Sequence, residues 1–137
     1  MRTLPLRLKP GQDLRRALEL AVAAEGCRAA FVLSGIGSLA ELRLRLAGHA
    51  EPQPPMTESF EIVALSGSIA TNGSHLHAAL AGSDGRVLGG HLAYGCRVGT
   101  TAEVLLALLP DHDFAREPDA GTGYDELTIR PRDVGRG

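Results

Sequence analysis

The chain has 137 residues, 44% of them hydrophobic and 22% charged, with a net charge of −2. That length fits one domain, which buries roughly two-thirds of its unfolded surface and needs neither disulfide nor metal to fold. The slightly acidic balance argues against nucleic-acid binding driven by charge, and no apolar run reaches the roughly 18 residues of a membrane span.

Seventeen Gly and eight Pro favour short strands and turns over long helices. Leu4, Leu6 and Leu8 alternate at period two, which predicts a strand over Met1 to Leu8. Pro10-Gly11 ends it. Asp13 is a fair N-cap, and Leu14, Ala17, Leu18, Ala21 and Val22 follow at helical spacing, with Gly26 just past the end. Ala29 to Ser34 is a short apolar strand. Gly35-Ile36-Gly37 predicts a turn, and Glu41 to Leu46 alternates strictly as a half-buried strand. Residues 51–59, with Pro52, Pro54 and Pro55, predict an irregular loop. Phe60 to Ala70 is a strand with a bulge or bend expected at Ser66-Gly67. His75 to Ala81 and Val87 to Tyr94 flank Gly82-Ser83-Asp84-Gly85, a hairpin signal. Val98 to Leu109 fits strand or helix. Asp111 to Asp125 is expected as polar loop, and Leu127 to Ile129 as a closing strand. Residues 1–130 form the expected domain, with 131–137 as a flexible tail. One helix followed by a run of strands predicts an α+β fold with a largely antiparallel, twisted sheet or partial barrel.

The chemistry concentrates in three of the five histidines. In a strand, His75 and His77 project from one face. A hairpin loop with an odd number of residues, such as Ser83 to Gly85, sets His91 opposite His77 and His75 on the diagonal. An even loop turns His91 to the other face. Three imidazoles on one face suit an open metal site, with Zn²⁺ the default where no thiolate is present. The spacing fits equally a set of polar residues on a solvated or interface face. By the same parity Cys96 faces away from His91 and is not counted as a ligand. His49 and His112 sit in or near loops and are expected to be merely exposed.

Other signals carry less. Gly35-Ile36-Gly37-Ser38-Leu39-Ala40 has the shape of a dinucleotide fingerprint, but the motif needs a helix next. The alternation of Glu41 to Leu46 predicts a strand there, so the glycines serve the backbone. Glu61, Glu103 and Tyr94 are candidate proton donors or acceptors near a histidine metal site; no sequence spacing places them, and no catalytic set is assigned. Cys27 and Cys96, with no apolar signal core at the N-terminus, point to reduced thiols and the cytoplasm. Basic residues form no run, and without Trp there is no stacking platform for single strands.

Several ordered motifs together resemble one family. Phe60-Glu61-Ile62-Val63-Ala64-Leu65 is similar to the Phe-Glu-Ile-Leu signature of the plants-and-prokaryotes-conserved (PPC) domain, domain of unknown function 296. His75-Leu76-His77, the segment Asp84 to Leu92 and Thr100-Thr101-Ala102-Glu103-Val104 match in turn, and the likeness runs from the first strand to Ile129. The resemblance implies a PPC-like α+β domain, assembly as a homotrimer, and the stand-alone prokaryotic form. Some relatives of that form hold a metal through histidines matching His75, His77 and His91, and the fold is similar to that of acetolactate decarboxylase, a zinc enzyme. Plant members carry AT-hooks, whereas this chain has no Arg-Gly-Arg-Pro core, and Glu58-Ser59 replace their Gly-Arg. The expectation is therefore a trimeric binding or regulatory module with a histidine metal site. It would take a protein partner or small molecule at a subunit interface, without autonomous DNA binding and without a membrane anchor. The alternative is a small zinc-dependent enzyme, lyase- or hydrolase-like, at His75, His77 and His91. A DNA-associated protein ranks third.

Overall fold

Alternating leucines at the N-terminus do form a strand, and the capped apolar stripe that follows does form a helix. The computed structural model describes residues 1–133 and 135. In order its elements are β1 (Arg2–Leu8), α1 (Leu14–Ala24), β2 (Ala29–Glu41), β3 (Leu44–Arg45), β4 (Phe60–Ala70), β5 (Gly73–Ala81), β6 (Val87–Leu92), β7 (Arg97–Leu108), β8 (His112–Pro118) and β9 (Asp125–Pro131). The expected tail, residues 131–137, includes Val134, Arg136 and Gly137, which lie outside the described residues.

Seven strands form one sheet in the order β1-β7-β2-β4-β5-β6-β3, antiparallel throughout and not closed into a barrel. Pro5 sits in β1, an edge strand, where a missing donor costs least. One face of the sheet carries α1. The Asp13 carboxylate caps the helix by accepting from the Arg16 N–H, and Gly26 ends it at φ +68°. Leu14, Leu18 and Val22 are buried against the sheet, each contributing roughly 2 kcal/mol. The same core takes Phe60, Ile62, Leu65 and Ile69 from β4 and Leu76, Ala78 and Leu80 from β5.

Four expectations are corrected. Gly35–Gly37 is not a turn, because β2 runs unbroken from Ala29 to Glu41. The glycines admit close packing instead: a Cβ on Gly37, at φ +135°, would lie 2.2 Å from the Thr101 carbonyl oxygen of β7. The strand expected over Glu41 to Leu46 shrinks to Leu44–Arg45, since its neighbours Glu41 and Leu42 belong to other pairings. The irregularity in β4 falls between Ile62 and Ala64 in its ladder with β5, not at Ser66-Gly67, which pairs in register with His77 and Leu76. Within the polar stretch Asp111 to Asp125, β8 forms and pairs with β9 as a separate two-stranded sheet. That hairpin packs over the far face of the main sheet, where Phe114 joins Ala29 and Ala70 and meets Phe31 edge-on at 5.6 Å. The last strand therefore closes the hairpin, not the main sheet.

Candidate metal centre

The hairpin between β5 and β6 decides where the histidines go. Five residues, Gly82 to Arg86, separate the last pair, Ala81 and Val87. Gly85 takes φ +81°, and the Gly82 and Arg86 backbones close the turn with an N–H···O bond of 2.9 Å. This odd loop sets His77 directly opposite His91. His75, two residues back, projects on the same face, away from α1.

The three rings converge. The centroids of His75 and His77 are 4.8 Å apart, those of His77 and His91 4.8 Å, and those of His75 and His91 5.3 Å. One ring nitrogen from each lies within 4.8 Å of the others, and the His75 and His77 Nε2 atoms stand 3.1 Å apart. Tetrahedral zinc with bonds near 2.0–2.1 Å would place its ligand nitrogens about 3.3 Å apart. One pair stands close to that spacing, and the third ring nitrogen lies within 4.8 Å of both.

The protein also fixes ring states. The His91 Nδ1–H donates to the Arg45 carbonyl oxygen at 3.0 Å. A carbonyl only accepts, so Nε2 keeps its lone pair for a metal. Burial holds the His75 pKa below its ordinary value, with the Arg116 guanidinium and the other two imidazoles adding to the effect. Burial also lowers that of His91, against its bond to the Arg45 carbonyl. Neutral imidazole is the ligating form. The donor set therefore fits a borderline-soft dication with an open coordination position.

Not every sequence candidate joins this site. Glu61 lies toward the far end of the β5 ladder, opposite Ala81, and Glu103 stands exposed between β1 and β2. The Tyr94 hydroxyl donates to Glu19 at 2.8 Å, and that carboxylate also accepts from Ser74 at 2.5 Å and pairs with Arg15 at 3.4 Å. Arg15 and Arg16 lie over the Tyr94 ring at 4.2 and 4.6 Å. Burial and the Glu19 bond raise the Tyr94 pKa, so this phenol is held as a structural donor. Cys96 is fully buried away from the triad, and burial raises its thiol to about 11. The arginines beside the histidines, Arg45 and Arg116, escaped sequence reasoning because they lie far apart in the chain.

Fold and site together define a class: a small α+β domain whose seven-stranded antiparallel sheet presents a histidine triad on the face away from its helix. Residues 1–110 match the model of the Plants and Prokaryotes Conserved (PCC) domain. The chain belongs to that family. Bifunctional protein GlmU of Synechococcus sp. (strain JA-3-3Ab) is 49% identical over 129 residues, which are 94% of this chain and 21% of that protein. The chain thus spans about a fifth of that curated relative. AT-hook motif nuclear-localized protein 13 of Arabidopsis thaliana is 30% identical over 92% of this chain and 30% of its own length. Among solved structures, a hypothetical protein from Salmonella cholerae-suis is 40% identical with a TM-score of 0.91, covering 96% of this chain and 94% of the other. A metal-containing protein from Archaeoglobus fulgidus is 30% identical with a TM-score of 0.74, covering 93% and 94%. Among the described residues, no helix is long and apolar enough to cross a membrane.

Proposed function

We propose that this chain is a homotrimeric binding or regulatory module that holds a divalent metal, zinc first, on His75, His77 and His91. The carrying observation is the convergence of three ring nitrogens within 4.8 Å on the paired strands β5 and β6. The metal-containing relative supports it. Assembly is supported by the exposed apolar side chains Phe31, Ile36 and Val63 on the central strands β2 and β4. A monomer rarely leaves such a patch on its most regular surface. The domain is proposed to work in the cytoplasm, where the two buried, free thiols stay reduced.

Sedimentation of protein purified without a histidine tag, with metal measured across the boundary, tests both parts. A trimer carrying one metal per chain is expected. A metal-free monomer at micromolar concentration overturns the reading.

A zinc-dependent enzyme, lyase- or hydrolase-like, is the second reading, favoured by a cleft of about 560 Å³ that borders His75 and His91. A dication at the triad supplies Lewis acidity toward a carbonyl or water oxygen. The chain's own part is to hold three neutral imidazoles and to shape the cleft that positions the reactant. DNA association, suggested by the plant relative, has little support in a net charge of −2 and no basic run. Weak duplex binding with a shallow salt dependence is expected.

A further inference from the structure

We propose that the cleft between β3 and the β8–β9 hairpin binds a small ligand bearing a carboxylate or phosphate group, held by the Arg45 and Arg116 guanidinium groups beside the histidine triad. This deepens the metal reading by naming the ligand class, but the arginine contacts themselves do not depend on a metal.

The cleft, at about 560 Å³, has the size of a metabolite site. Its walls include His75, His91 and three arginines, Arg15, Arg45 and Arg116. Arg15 is already committed. Its Nε donates to the Ser74 hydroxyl at 2.9 Å and its Nη2 to the Ser74 carbonyl at 3.0 Å, with Glu19 beside it at 3.4 Å.

Arg45 and Arg116 differ. Each side chain donates only to a backbone carbonyl, Arg45 to His49 at 3.0 Å and Arg116 to Asp125 at 2.7 Å. Among the described residues neither forms an ion pair. A guanidinium carries five N–H donors, so most of their capacity is unspent.

Both arginines are anchored through their backbones, which leaves the side chains as the working parts. The Arg45 carbonyl accepts from His91. The Asn72 side chain clamps Arg116 at both ends, accepting from its N–H at 2.7 Å and donating to its carbonyl at 2.8 Å. Two elements remote in sequence thus aim unspent positive charge at one space. Asp125 and Glu126 also line it and match the two free guanidinium charges, so the attraction rests on directed N–H donors, to which a metal dication would add. An oxyanion satisfies planar guanidinium donors in paired, charge-assisted bonds.

The test titrates inorganic phosphate and malonate calorimetrically into metal-free and zinc-loaded protein at low ionic strength. One anion per chain is expected, and the tighter probe identifies phosphate or carboxylate as the natural group. The double variant Arg45→Gln/Arg116→Gln should weaken binding about ten- to a hundredfold, with zinc uptake unchanged as proof of an intact triad. Arg86→Gln, at the far end of the β5–β6 hairpin, should bind as the parent does. Phosphate binding that depends on Arg45 and Arg116 in a protein that takes up no zinc would sustain this site while ending the metal reading. No anion binding at millimolar concentration, or equal binding by the double variant, overturns it.

Discussion

Gly67 is where the fold and the histidine site are most tightly tied, and Gly67→Ala puts that tie to the test. Gly67 lies in β4 between Val32 of β2 and Leu76 of β5. Its φ is +144°, a region that residues with a side chain rarely enter, at a cost of about 1–3 kcal/mol. A Cβ there would stand 2.0 Å from the His75 carbonyl oxygen and 2.8 Å from the Leu76 Cα. Relief requires β5 to move off β4, breaking two or three ladder bonds at about 1 kcal/mol each. The total, about 3–6 kcal/mol, is a large share of the roughly 5–15 kcal/mol that a domain has. Gly85→Ala is the matched control: its φ is +81°, but nothing lies within 4 Å of an added Cβ. That change should cost only about 1–2 kcal/mol. Urea unfolding of both variants gives the comparison. A Gly67→Ala protein as stable as Gly85→Ala would mean that β4 and β5 do not approach as described beside His75.

Other consequences are as direct. Glu19→Ala leaves the Ser74 hydroxyl without its acceptor and the Arg15 guanidinium without its charge partner, and should cost about 2–3 kcal/mol by chemical denaturation, against about 1 for Tyr94→Phe; equal, negligible losses would dissolve the network. With its thiol pushed up to about 11, Cys96 should resist a thiol reagent near neutral pH in native protein and react once urea unfolds it; rapid native labelling would contradict the burial. His75 and His91 bind protons less readily folded than unfolded, where the ordinary value is 6.5. Acidification then loads protons onto the unfolded chain first, so metal-free protein should lose stability from about pH 7.5 to about pH 5.5. A urea midpoint that rises over that span would refute the assignment.

The helix and the histidine hairpin were legible in the sequence because each rests on local pattern. Asp13, the Leu14–Leu18–Val22 stripe and Gly26 define α1 without outside help. The Gly82–Gly85 turn signal marked the hairpin and tied the side taken by His91 to loop parity, but the parity itself, five residues from Gly82 to Arg86, came from the structure. What escaped was set by partners distant in the chain. Gly35 and Gly37 look like a turn until Leu65 and Thr101 are known to press against them. β8 is mostly polar and forms because β9 lies beside it, with Phe114 its one buried anchor and a paired Arg130–Glu117 contact at 2.8 and 2.9 Å across the two strands. The cleft needed β3 and β8 together, and no spacing in the sequence joins Arg45 to Arg116.

The metal site is the centre of this account, and zinc affinity measured by competition with a chromophoric chelator tests it most directly. The parent chain should bind one zinc, and His49→Ala, in an exposed loop, should bind it equally well. His77→Ala should lose more than about a hundredfold, beyond the upper end for losing a mere supporting partner of a ligand. A parent that takes up no stoichiometric zinc, or a His77→Ala variant that holds it as tightly, would contradict the account.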